Sequence, residues 1–121
     1  MKFLWTTLLV NNMDESLKFY EEIVGLKLVE RFQAGPEMEI SFLGEGETKI
    51  ELICNENLTN LDSGNRVTLG FKVESLDEMI NFLNEKEIDI ITGPIEPNPR
   101  IKYLIIQDPN GVKIQFAQQM A

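Results

Sequence analysis

An α+β fold built from two βαβββ modules is what this sequence predicts, and three observations carry the prediction. Val10 through Leu17 reads like Val73 through Ile80, and Lys49-Ile50 recurs as Lys113-Ile114 at nearly the same offset. Two capping boxes, Asn12-Met13-Asp14-Glu15 and Ser75-Leu76-Asp77-Glu78, stand at matching places in the two halves. Around them, runs of period-two alternation give way to helical spacing and back again. With 121 residues, one domain is expected over 1–121, with modules at 1–58 and 66–121.

In the first module, Phe3 to Val10 alternates as a strand. Phe3, Trp5, Thr7 and Leu9 lie on one face and Leu4, Thr6, Leu8 and Val10 on the other. Met13, Leu17, Tyr20 and Val24 follow at helical spacing, and Gly25 closes the helix. Leu26 to Gln33, Met38 to Leu43 and Thr48 to Cys54 are three further strands, the last two joined by Gly44-Glu45-Gly46. Asn55 to Asn65 is polar and turn-rich and joins the modules.

In the second module, Val67, Leu69, Phe71 and Val73 alternate, and Leu76, Met79, Ile80 and Leu83 form the stripe of a helix. Ile88 to Thr92 reads as a short strand. Gly93 to Pro99 holds three of the five prolines and reads as a loop. Tyr103 to Gln107 and Val112 to Ala117 are the last strands, linked by the turn Asp108-Pro109-Asn110-Gly111. A helix with one apolar stripe covers one face of its sheet. The other face of each curved, mixed sheet is left open as a cup.

Composition narrows the function. Twenty Asp and Glu against eleven Lys and Arg give a net charge of −9, which disfavours nucleic acid and anionic membranes and suits a cationic ligand or plain solubility. No apolar run approaches the roughly 20 residues that span a bilayer, and Met1 is followed at once by a strand-like run, so a soluble cytoplasmic protein is expected. The single cysteine, Cys54, allows no internal disulfide and lies on the face away from Glu51, as a core thiol would. The chain has no histidine, so Cys-His and Ser-His-Asp catalysis are excluded.

Leu8-Leu9-Val10-Asn11-Asn12-Met13-Asp14-Glu15-Ser16-Leu17-Lys18-Phe19-Tyr20, then Gly25-Leu26-Lys27-Leu28-Val29, and Asp108-Pro109-Asn110-Gly111-Val112-Lys113-Ile114, resemble the vicinal oxygen chelate superfamily. That superfamily holds glyoxalase, extradiol dioxygenases, fosfomycin-resistance transferases and bleomycin-resistance binding proteins. The resemblance covers nearly the whole chain and implies a homodimer, with cups formed between halves of facing chains. In metal-dependent members, paired strands supply two His and two carboxylates to one divalent metal. Those positions fall here on Trp5, Glu51, Thr68 and Gln115, and only Glu51 keeps a family ligand. An indole N–H offers no lone pair, and one carboxylate with an amide and a hydroxyl makes a weak site, so no metal and no cofactor are expected. Magnesium held by Glu51 and water is the one exception the donors leave open.

The expected function is therefore metal-free binding of a small organic ligand, cationic or aromatic. Trp5 would stack on it, and Glu51, Thr68 and Gln115 would hydrogen-bond it. Arg100, in the proline-rich loop, could close over an anionic group, or simply be solvated. The alternative is a glyoxalase-like lyase, isomerase or dioxygenase with an atypical metal site or Glu51 as general base. A third reading is a structural dimer whose cup is filled by its own side chains. Against these roles stand a Trp5 that plugs the cup as core, and a Glu51 paired with Lys49, Lys72 or Arg66.

Overall fold

Both helices start where an oxygen side chain satisfies a free backbone N–H. The Asn12 side chain accepts from the Glu15 N–H at 2.9 Å, and Ser75 Oγ accepts from the Glu78 N–H at 3.2 Å. Each cap is worth about 1 kcal/mol. In the computed structural model, which describes residues 1–57 and 67–120, the helices are α1 (Met13–Lys18) and α2 (Leu76–Glu85). The first does not run on as the continuous helix that its spacing predicts. A π turn occupies Phe19–Ile23, with the Val24 N–H donating to the Phe19 carbonyl, and it keeps both Phe19 and Tyr20 buried.

The chain divides into two compact units, Met1–Ser63 and Gly64–Ala121. The first holds β1 (Trp5–Leu9), β2 (Leu28–Gln33), β3 (Met38–Leu43) and β4 (Lys49–Asn55), in the order β1-β4-β3-β2. The second holds β5 (Thr68–Lys72), β6 (Thr92–Asn98), β7 (Ile101–Gln107) and β8 (Lys113–Gln119), in the order β5-β8-β7-β6. In each sheet the first strand runs parallel to the last and the other pairs are antiparallel. The predicted α+β fold of two βαβββ modules is thus the observed one. The connection from 58 to 66, with Arg66, lies outside the described residues. Among the described residues, no helix is long and apolar enough to cross a membrane.

Alternation decides which face each helix covers. Leu8, Leu43, Ile50 and Leu52 are buried on the face where α1 packs against β4. Leu104, Ile106, Ile114 and Phe116 are buried where α2 packs against β7 and β8. Cys54 belongs to the covered face of the first sheet, its Sγ donating to the Asn11 carbonyl at 3.7 Å. Arg31 ties β2 to β3 and to α1, through Glu39 at 2.9 Å and Asp14 at 2.8 Å. Hydrogen bonds to Glu39 and then Asp14 raise its guanidinium pKa above the ordinary range, against a smaller opposing effect of burial. At the last turn, Asp108 Oδ1 accepts from the Asn110 and Val112 N–H groups, both at 2.8 Å, which accounts for a buried carboxylate there.

One segment corrects the expected assignment. Ile88 to Ile91 forms no strand; the strand begins at Thr92 and runs through the proline-rich stretch expected as a loop. After α2 the chain turns through Glu87 at φ 58°, with the Ile88 N–H donating to the Leu83 carbonyl, and pairing with β7 begins with the Ile91 N–H on the Ile105 carbonyl. Pro94 and Pro97 are tolerated because β6 is an edge strand whose register partners are Thr92, Ile95 and Asn98. The prolines fall between those positions, where no ladder N–H is needed.

Ser41, on the covered face of the first sheet, is fully buried, and its Oγ has no partner among the described residues. A buried, unsatisfied hydroxyl costs about 1–3 kcal/mol. Ser41→Ala is therefore expected to leave the urea midpoint unchanged or raise it. A clear drop would show that the hydroxyl has a partner.

Candidate functional site

The open face of the first sheet is built by register. Trp5 pairs with Lys49, Thr7 with Glu51, Glu51 with Phe42, and Phe42 with Glu30. Side chains at paired positions project from the same face, so Thr7, Glu51, Phe42 and Glu30 form one row across four strands, with Trp5 and Lys49 in a neighbouring row of the same face. Trp5 meets Phe42 edge-on, with ring centroids 5.3 Å apart and planes at 72°. This arrangement fixes the indole while leaving the residue 45% exposed. Trp5 is therefore neither a core plug in this unit nor a free surface side chain.

Glu51 is held by a single short bond. Thr7 Oγ1 donates to Glu51 Oε1 at 2.6 Å, within the range of charge-assisted O–H···O bonds. No cation pairs with Glu51 among the described residues. Lys49, one of the three cations weighed as its partner, instead donates to the Gly46 carbonyl at 3.0 Å. Beside Trp5 and Phe42 opens a hollow of about 270 Å³, whose rim includes Val29, Glu30, Glu47 and Lys49. An aromatic wall with carboxylates at its edge can receive a planar cationic group, by stacking on one side and charge on the other.

On the second sheet, Thr68 pairs with Lys113 and Gly70 with Gln115. The structure thus brings Trp5 and Glu51 to one open face, and Thr68 and Gln115 to the corresponding face of the other unit. Arg100 lies elsewhere. It sits exposed in the turn between β6 and β7, its backbone N–H donating to Asn98 Oδ1 at 2.8 Å, over a hollow of about 730 Å³ lined also by Ile101, Gln119 and Met120. Thr68 stands level with Gln107, at the other end of β7 from Ile101 and roughly 20 Å away at strand rise. Arg100 therefore belongs to the opposite end of that sheet.

Two participants escaped the sequence reading. Thr7 shares the face of Trp5 by alternation, but its bond to Glu51 follows from the parallel β1–β4 pairing. Phe42 sits in an apolar run, Ile40 to Leu43 around Ser41, and only the register with Glu51 separates it from the core positions.

The donor set does not fit the divalent metal that the fold family implies. Trp5 supplies no lone pair, Thr68 and Gln115 are neutral oxygen donors, and one oxygen of Glu51 is already taken by Thr7. Among the described residues no group of three or more Cys, Asp or Glu side chains is arranged to hold an ion.

Comparison with known proteins places these faces in context. A family model described as glyoxalase/bleomycin resistance protein/dioxygenase superfamily matches residues 2–116. The lactoylglutathione lyase of Neisseria meningitidis is 29% identical, with 98% of this chain and 91% of that enzyme covered. Glyoxalase I of Leishmania major superposes with a TM-score of 0.81 at 22% identity, over 98% of this chain and 86% of that one. TnmS3, an antibiotic binding protein from Streptomyces sp. CB03234, superposes with a TM-score of 0.78 at 20% identity, over 99% and 97% of the two chains. At such identities the structural likenesses show the fold.

Proposed function

The chain belongs to the glyoxalase/bleomycin resistance protein/dioxygenase superfamily, and from that premise we propose that it binds a small organic ligand without a metal. The observation that carries this reading is the face holding Trp5 and Glu51. An exposed indole is fixed by Phe42, and a carboxylate with no cationic partner among the described residues is fixed by Thr7. Both are preorganised, so little side-chain freedom is lost when a ligand arrives. Stacking on Trp5 and attraction to Glu30 at the rim of the hollow, and to Glu51 on the same face, favour a planar cation. Thr68 and Gln115 offer neutral donors and acceptors on the open face of the second unit. A homodimer belongs to the same proposal, and sedimentation as a monomer at working concentration would remove it.

Elemental analysis of protein purified without chelator tests the reading. We expect no stoichiometric zinc, nickel, iron or manganese; one metal per chain would overturn it.

A second reading is favoured by the lactoylglutathione lyase relatives and by the second oxygen of Glu51, which Thr7 leaves free. Here Glu51 acts as a general base in a lyase or isomerase. Glu51→Gln keeps an acceptor for Thr7 but cannot take up a proton. It would abolish a confirmed turnover while preserving affinity; unchanged turnover would remove the reading.

A further inference from the structure

On the first sheet, the row next to Thr7, Glu51, Phe42 and Glu30 is wholly apolar. Register places Leu9 beside Ile53, Ile53 beside Ile40, and Ile40 beside Phe32. Residues two apart along a strand share a face, so these four lie on the open face with Glu51, not on the face that α1 covers. We propose that the ligand is an amphiphilic cation, with an aromatic ring for Trp5, a cationic centre for Glu51 and an aliphatic arm that lies along Leu9, Ile53 and Ile40. The proposal rests on the reading of the Trp5–Glu51 face as a binding site, and adds the arm to it.

The fold does not require this row to be apolar. In the second sheet, register puts Lys72, Ala117, Tyr103 and Ile95 at the equivalent places. That sheet forms with an ammonium and a methyl group where the first has Leu9 and Ile53. A sheet face left to water carries polar side chains opposite its buried ones. Leu9, Ile53 and Ile40 are instead half-buried, and Phe32 is 38% exposed. Apolar area therefore remains along the row for an occupant to cover.

Charge decides between a ligand and a second protein surface. An occupant of this row also covers part of the row beside it, where Glu51 and Glu30 flank Phe42. Among the described residues neither carboxylate has a cationic partner. An apolar protein face laid there would take both charges out of water unpaired, which is costly. A ligand that carries its own cation pairs with Glu51 and keeps its arm on the hydrocarbon. The two rows stand about 7 Å apart along the strands, within reach of a short alkyl chain. Asn55 and Met38 form the next row, another 7 Å or so on, and Asn55 ends the apolar strip on β4.

Calorimetric titration of the full chain with benzamidine and its N-propyl and N-pentyl derivatives tests this, because their arm leaves from the cationic centre, away from the ring. Each added methylene should tighten binding roughly three- to fourfold. N-pentylbenzamide, which has the same shape without the charge, should bind roughly tenfold or more weaker than N-pentylbenzamidine. Ile53→Ala, which copies Ala117, should leave benzamidine affinity in place and remove most of the gain from the arm; if it does not fold, Ile40→Ala carries the test. Benzamidine binding with no gain along the series, as when a protein surface already covers the row, would overturn the proposal and leave the Trp5–Glu51 reading standing. Equal binding of the neutral amide, or an undiminished gain in a folded variant, would overturn it as well. No binding of benzamidine itself would overturn both.

Discussion

Gly93→Ala is expected to destabilise the protein by roughly 2–5 kcal/mol, a large effect for one added methyl group. Gly93 adopts φ +98°, a region that L side chains rarely enter. An added Cβ would also lie 2.8 Å from the Tyr103 carbonyl oxygen, 3.1 Å from Leu104 Cα and 3.2 Å from the Ile95 nitrogen. All three are backbone atoms of the β6–β7 pair, so no side chain can swing aside. The methyl must push the edge strand off β7, at the residues where the pairing is already irregular. Gly35→Ala supplies the control. Gly35 has φ +116° but open space around the added atom, so it should show the conformational cost without the clash. Thermal melts should place the Gly93 variant roughly 10 °C or more below the parent, with the Gly35 variant between them. Equal melting temperatures for the two would show that the close approach is not what fixes glycine at position 93.

Trp5→Ala is expected to lower affinity for a planar aromatic cation such as benzamidine by roughly thirtyfold, about 2 kcal/mol. The stability cost should be smaller, because Trp5 is 45% exposed and its edge contact with Phe42 is worth about 0.5–1.5 kcal/mol. Trp5→Phe keeps a ring at the same place and should retain most of the affinity. Calorimetric titration checks both, since the variants lose the tryptophan signal. A Trp5→Ala variant that unfolds readily but binds benzamidine unchanged would make Trp5 a packing residue.

The features of the fold that are written locally could be read from the chain. Asn12 and Ser75 announce both helices because a cap needs one oxygen three residues before a free N–H. Alternation separated Glu51 from Ile50 and Leu52, and the matched offsets of the repeated segments supplied the second module. What was not legible depends on partners distant in sequence. Pro94 and Pro97 argue against a strand until the neighbour on only one side is known, and only then does β6 become an edge. The π turn at Phe19–Ile23 needs one extra residue in a helix whose apolar spacing looks regular. The bond from Thr7 to Glu51 spans 44 residues and exists because β1 lies beside β4. Arg100, chosen for its loop, stands at the far end of its sheet from Thr68, a separation that strand length sets and composition does not.

The measurement that bears most directly on metal-free binding is a titration of Trp5 fluorescence with benzamidine, before and after exhaustive dialysis against a chelator. Trp5 is the one tryptophan in the chain, so the signal belongs to the face in question. We predict a saturable change with the same isotherm in both samples. An isotherm that collapses after chelation, and returns on adding a divalent metal, would contradict the account.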